Sequence, residues 1–154
     1  MTTITLSLFL NLNGQAEEGL IFYQTVFKGE LLFKITNQQF KEKMDPELLI
    51  PKGEETFISH SVLQIGGTQL NIVDNPIYPS MPLTMGQALS FSVTTGTVEE
   101  AKTLFDAIQS DSRSKVIAQP TENEFADYYG IIQDPFGVII QVSREKQPDP
   151  SLKG

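Results

Sequence analysis

The feature that most constrains the fold of this chain is an internal repeat. Residues 6–27 read LSLFLNLNGQAEEGLIFYQTVF, and residues 88–108 read ALSFSVTTGTVEEAKTLFDAI. Each segment first alternates apolar and polar residues, as strands do, and then has a glycine and a Glu-Glu pair where the apolar spacing becomes helical. Acidic residues are favourable at a helix N-terminus. Two such units in one chain indicate a duplication.

The segments that follow the two helices also correspond. Residues 60–74, HSVLQIGGTQLNIVD, and residues 128–143, YYGIIQDPFGVIIQVS, both read as strand, glycine turn and strand. One more strand is predicted between helix and hairpin in each half, near residues 30–36 and 115–119. Each half therefore has the predicted order βαβββ, and the predicted fold class is α+β.

The repeat also predicts the domain organisation. We expect a single domain over residues 1–146, made of two modules at about 4–74 and 87–144. A proline-rich linker, residues 75–86, joins them, and residues 147–154 are predicted to be a disordered tail. A polar insertion at residues 37–55 is predicted to form a short helix around residues 41–49 or a flap.

The phase of the strands predicts which residues face the helices. Apolar rows should face the helices: Leu6, Leu8, Leu10 and Leu12 in the first module, and Leu89, Phe91 and Val93 in the second. The opposite faces are mostly small and polar: Thr5, Ser7, Phe9, Asn11, Gln69, Asn71, Ala88, Ser90, Ser92, Thr94, Ile139 and Gln141. With one helix for each half, these faces need cover from the other half or from another subunit. They are therefore predicted to line a cleft.

Composition narrows the functional classes. The 154 residues are 40% hydrophobic and 19% charged, with a net charge of −8, as in a soluble globular protein. The 11 lysines and arginines are scattered, which argues against nucleic-acid binding. No apolar run approaches the roughly 18 residues that span a membrane. The absence of cysteine excludes disulfides and thiolate chemistry and is compatible with a cytoplasmic location.

Three stretches in this order resemble a known superfamily: FLNLNGQAEEGLIFYQTVF, ISHSVLQIGGTQLNIVD and DPFGVIIQV. The chain is similar over residues 4–143 to the vicinal oxygen chelate superfamily, which includes glyoxalases, bleomycin-resistance proteins, fosfomycin-resistance enzymes and extradiol dioxygenases. The similarity is greatest to its PhnB-like branch. The resemblance implies two βαβββ modules that form a cup-shaped mixed sheet, usually in a dimer.

The resemblance also implies where a metal would be bound. Metal-using members take their ligands, commonly His or Glu, from the first and last strands of each module. The corresponding positions here are Ser7, Asn71, Ser90 (or Ala88) and Gln141. Neutral hydroxyls and amides are poor ligands for divalent transition metals. The sequence therefore predicts no metal and no cofactor. The methyltransferase label sometimes given to this branch has no support, because no glycine-rich cofactor loop follows the first strand.

Two further features are candidates for chemistry. His60 is the only histidine, in phase with Val62 and Gln64, and is a candidate general base or ligand contact. The alternative is a structural hydrogen bond. Tyr128 and Tyr129 could stack on a planar or cationic ligand, or could pack on a helix or at a dimer interface.

These observations predict a cytoplasmic homodimer that binds a small organic molecule in a metal-free cleft, without nucleic-acid or membrane partners. His60 is the catalytic candidate. The predicted ligand-binding residues are Ser7, Phe9, Asn11, Asn71, Ser90, Ser92, Tyr128, Tyr129 and Gln141. The binding hypothesis resembles the bleomycin-resistance proteins, which sequester a cationic ligand. The alternative is a metal-dependent lyase, isomerase or dioxygenase with atypical ligands, such as His60 with Glu122 or Glu124.

Overall fold

The structure, a computed structural model, describes residues 3–74, 80–147 and 150–152. Contacts divide the chain into two units, residues 1–83 and 84–154. The first unit contains β1 (Leu8–Asn11), α1 (Ala16–Val26), β2 (Glu30–Thr36), α2 (Asn37–Lys43), β3 (Ile58–Ile65) and β4 (Thr68–Val73). The second contains β5 (Phe91–Thr94), α3 (Val98–Gln109), β6 (Lys115–Thr121), β7 (Ala126–Gln133), β8 (Ile139–Glu145) and a 3₁₀ helix (Pro150–Leu152).

Both units contain a four-stranded mixed sheet of the same topology. The strand order is β1-β4-β3-β2 in the first unit and β5-β8-β7-β6 in the second. The first strand of each unit runs parallel to the last, and the other pairs are antiparallel. Helix α1 packs on β3 and β4, and α3 packs on β7 and β8. The predicted α+β class and the repeated βαβββ order are confirmed.

The polar insertion forms its helix earlier than predicted. Helix α2 spans Asn37–Lys43, whereas the sequence placed a helix around residues 41–49. A capping box explains the start: the Thr36 hydroxyl accepts a hydrogen bond from the Gln39 backbone N–H, and the Gln39 side chain accepts one from the Thr36 N–H. The insertion therefore continues directly from β2.

The core of each unit lies between its helix and one face of its sheet. In the second unit, Phe105, Ile132, Ile140 and Val142 are at most 1% exposed. The predicted apolar rows are shorter than expected. Leu6 and Leu89 are 87% and 86% exposed, so their assignment to the core is wrong. The reason is that β1 begins at Leu8 and β5 at Phe91.

A buried carboxylate fixes the start of α1 to the end of β4. Asp74 is 3% exposed. Its Oδ1 accepts hydrogen bonds from the backbone N–H groups of Gly14, at 2.6 Å, and Ala16, at 2.8 Å. Its Oδ2 accepts one from the Ile58 N–H at 2.9 Å. One side chain thus joins three segments of the first unit, because the free donors of a helix N-terminus need an acceptor.

The turn before β8 behaves as the sequence predicted. The Asp134 carboxylate accepts hydrogen bonds from the backbone N–H groups of Phe136 and Val138, both at 2.9 Å. Gly137 has a φ of 92°, which glycine adopts without strain. Asp134 therefore caps the turn.

The predicted linker and tail lie partly outside the described residues. Residues 75–79 of the linker and residues 148, 149, 153 and 154 of the tail are not described. Residues 80–86 contain no helix or strand. The 3₁₀ helix at Pro150–Leu152 lies within the segment predicted to be disordered.

Candidate functional site

Several of the predicted site residues lie on the helix-free face of the second sheet, where hydrogen bonds join their side chains. Ile140 and Val142 are fully buried on the side of α3. Because successive strand residues point to opposite faces, Gln141 faces away from the helix. The strand register pairs Gln141 with Ser92 on β5 and with Ile131 on β7. The sequence alternation in β8 thus places one amide among small and apolar neighbours.

A chain of hydrogen bonds crosses three segments on this face. The Tyr129 hydroxyl donates to Gln141 Oε1 at 2.5 Å. Gln141 Nε2 donates to Ser90 Oγ at 3.0 Å. All three side chains are half-buried. The structure therefore brings together three predicted ligand-binding residues, with Ser92 beside them in the register.

The first unit carries a corresponding group on its own helix-free face. Asn71 Nδ2 lies 3.4 Å from Ser7 Oγ and 3.3 Å from the Leu8 carbonyl oxygen. Asn71 pairs with Phe9 on β1 and with Val62 on β3. The Phe9 ring is 49% exposed. Ser7, Phe9 and Asn71 are thus neighbours, as their strand phase predicted.

His60 and Tyr129 occupy equivalent positions in the two units. Val62 pairs with Asn71, and Ile131 pairs with Gln141. His60 lies two residues before Val62, and Tyr129 lies two residues before Ile131. The His60 ring centroid lies 5.8 Å from that of Phe33, so the imidazole rests beside an aromatic ring. His60 therefore belongs to the helix-free face of the first unit.

The structure does not bring Tyr128 into these groups. Tyr128 pairs with Arg144 and lies against α3, with its ring centroid 6.4 Å from that of Phe105. Burial, with a smaller contribution from the Asp106 charge, raises the pKa of the Tyr128 hydroxyl. The Asn11 side chain accepts a hydrogen bond from the Asn13 N–H at 2.9 Å, in the turn before α1.

Glu122, proposed as a recruited ligand, already has a partner. Its carboxylate pairs with Lys146 Nζ at 2.8 Å. The hydrogen bond from Lys146 lowers the pKa of Glu122 below its ordinary value and raises that of Lys146. The Glu122 side chain is 67% exposed, so this is a surface ion pair. Glu124 is also exposed.

Three apolar residues on these faces were not among the predicted site residues. Phe33, Val62 and Ile131 stand on the same faces as Asn71 and Gln141. Phe33 is 41% exposed, although it is a large aromatic residue. The period-two alternation of residues 30–36 places Phe33 on the opposite face from Lys34, and in the structure Lys34 contacts Glu17 on α1.

The residues at the metal-ligand positions do not fit a transition metal. Ser7, Asn71, Ser90 and Gln141 supply neutral oxygen and nitrogen atoms, and these are already engaged with one another. Such atoms neither offset the charge of the ion nor match the imidazole and carboxylate ligands that these metals select. Within the described residues, no group of three or more His, Cys, Asp or Glu is arranged to hold a metal ion.

Comparisons with known proteins agree with this architecture. Protein YjdN of Escherichia coli strain K12 is 27% identical over 148 residues, which cover 92% of this chain and 96% of YjdN. The structure of the PhnB protein from Bacillus cereus has a TM-score of 0.69 at 23% identity and covers 92% of this chain and 99% of that one. The fosfomycin resistance protein FosX from Listeria monocytogenes has a TM-score of 0.62 at 11% identity, over 95% of this chain and 94% of FosX.

A match to a sequence family identifies the family of this chain. The family described as 3-demethylubiquinone-9 3-methyltransferase matches residues 2–143, nearly the whole chain. The PhnB protein and FosX have the same fold as this chain. The chain therefore belongs to this family, the PhnB-like branch of the vicinal oxygen chelate superfamily.

Proposed function

We propose that this protein binds a small organic molecule in a metal-free cleft against a helix-free sheet face. The observation that carries the proposal is the chain Tyr129–Gln141–Ser90. Three half-buried polar side chains, oriented by one another, form a preorganised polar group next to Ile131 and Ser92. Ligand sites combine apolar walls with a few such fixed polar groups. The first unit carries a separate polar group on its own helix-free face, at Asn71 beside the exposed residue Phe9.

The proposal contains neither a metal nor a methyl transfer. Metal-dependent chemistry would need anionic or imidazole ligands, and the equivalent positions hold hydroxyls and amides. The glycine after β1 lies in the turn before α1, and the next glycine pair forms the β3–β4 hairpin. Neither arrangement resembles the glycine-rich loop that cradles a nucleotide-like cofactor. In this proposal His60, on the helix-free face of the first unit, serves as a ligand contact.

The binding protein is a cytoplasmic homodimer in this proposal. Ile4 and Leu6 are 85% and 87% exposed beside the edge strand β1. Exposed apolar residues at a sheet edge favour contact with another chain. A light-scattering mass of two chains would support the dimer. The net charge of −8 disfavours nucleic acid. No helix within the part of the chain described here is long and apolar enough to cross a membrane.

A thermal-shift screen tests the binding proposal. Neutral and cationic aromatic compounds are added to protein kept in a metal chelator. A ligand of the native state at about 100 times its Kd stabilises by about 2.7 kcal/mol, which raises the Tm by several degrees. The shift should disappear in Gln141→Leu, which removes the amide but keeps the approximate side-chain size.

Gln109→Leu is the matched control, since Gln109 is an exposed residue at the end of α3. It should keep the full shift. The proposal fails if no compound stabilises the protein, or if stabilisation appears only after a divalent metal replaces the chelator.

A further inference from the structure

We infer that the ligand presents a neutral carbonyl oxygen to the Ser90 hydroxyl and the Gln141 side-chain amide. The inference rests on the proposed binding function and names the class of ligand that the second unit takes. It follows from the direction in which the hydrogen bonds of this face run.

The two hydrogen-bond partners of Gln141, Tyr129 and Ser90, orient its side-chain amide. The Tyr129 hydroxyl oxygen lies 2.5 Å from Gln141 Oε1. The amide oxygen therefore faces Tyr129 and accepts the phenol proton, because an amide oxygen has no proton to give.

The same orientation leaves two donors available. Gln141 Nε2 faces Ser90 Oγ at 3.0 Å, so the Ser90 oxygen is an acceptor in that bond. The hydroxyl proton of Ser90 and the second N–H of Gln141 have no acceptor among the residues that the structure describes. Both side chains are half-buried, so water or a ligand can reach them. Two adjacent donors match one oxygen with two lone pairs.

The charges around this face select a neutral ligand. The neighbours of Gln141 in the register are Ser92 and Ile131, which carry no charge. Lys115, a cation in the same phase, lies on the outermost strand β6 and pairs with Gln133 of β7. A carboxylate bound here would lose its hydration without a neighbouring cation. A cation would meet two donors instead of acceptors. A ketone or amide carbonyl avoids both costs.

Matched fragments test the inference by NMR on ¹⁵N-labelled protein. The probes are acetophenone, ethylbenzene, benzylamine and benzoate, which share a ring and differ in the attached group. Acetophenone should shift the signals of the Gln141 side-chain amide and the Ser90 backbone amide. The other three should leave these signals in place.

Two variants separate a specific contact from general adsorption. Ser90→Ala removes one donor and should weaken acetophenone binding about three- to tenfold, the effect of one hydrogen bond. Ser112→Ala makes the same chemical change at an exposed position after α3 and should leave the affinity unchanged.

The inference is overturned if acetophenone leaves the Gln141 signal unmoved, or if Ser90→Ala binds it as tightly as the wild type. If benzylamine or benzoate moves that signal instead, the carbonyl assignment fails while metal-free binding stands. If the thermal-shift screen also finds no ligand, the proposed function fails as well.

Discussion

Replacement of Asp74 by alanine is expected to lower the free energy of unfolding of the first unit by about 3 to 5 kcal/mol. The carboxylate accepts hydrogen bonds from three backbone N–H groups, those of Gly14, Ala16 and Ile58. The bonds to Ala16 and Ile58 are buried, so water cannot readily replace the acceptor. A buried donor without a partner costs about 1–3 kcal/mol. Chemical denaturation followed by circular dichroism measures the loss.

Asp74→Asn keeps the shape of the side chain and sharpens the test. Its NH₂ group must face at least one backbone N–H, so it should lose part of the same stability. Asp127→Ala is the control, because Asp127 is exposed, and should change stability by less than about 0.5 kcal/mol. Equal stability of Asp74→Ala and Asp127→Ala would show that this carboxylate does not hold the three segments together.

Gly130→Ala is expected to destabilise the second unit by about 1–3 kcal/mol through overpacking. A Cβ at Gly130 would lie 2.8 Å from Phe105 Cε2 and 3.0 Å from Pro120 Cγ. Phe105 is 1% exposed, so its ring has little room to move. Denaturant unfolding gives the size of the effect.

Two comparisons identify the Phe105 ring as the cause. Gly67→Ala should be neutral, because no atom lies within 4 Å of a Cβ there. In a Phe105→Leu background, Gly130→Ala should lose most of its effect, since the ring that it meets is absent. Additive effects of the two substitutions would rule out this contact as the origin, because residues in contact are expected to couple.

Local sequence patterns were sufficient for most of the secondary structure. Strand β2 was predicted at residues 30–36 and spans Glu30–Thr36. Helices α1 and α3 bury most of the apolar faces that their spacing indicated. These features depend on residues close in sequence, so one chain reveals them. The duplication then gave the topology, since each half supplied a second copy of the same pattern.

Features that depend on distant residues were not predictable. The hydrogen bond from the Gly14 N–H to Asp74 joins residues 60 positions apart, and no local sequence pattern predicts it. Likewise, Leu6 and Leu89 continue an alternating apolar pattern, but the strands begin after them. Alternation shows which way a residue would point in a strand, but it does not show where pairing starts.

In the candidate site, too, local patterns predicted some features, and other features depend on distant residues. Strand phase placed Ser7, Asn71 and Gln141 on the helix-free faces. Strand phase also requires Tyr128 and Tyr129 to point in opposite directions, but it does not show which of the two lies on the helix-free face. The β7–β8 register decides this, with an irregularity between Ala126 and Tyr128. The bond between Ser90 and Gln141 spans 51 positions and needed the folded chain.

The metal content of the native protein tests the central claim most directly. The protein is purified without chelator and its zinc, nickel, manganese and iron are measured by mass spectrometry. Neutral donors at Ser7, Asn71, Ser90 and Gln141 predict far less than one metal ion for each chain. One bound ion for each chain, lost in His60→Ala or Gln141→Ala, would contradict the account.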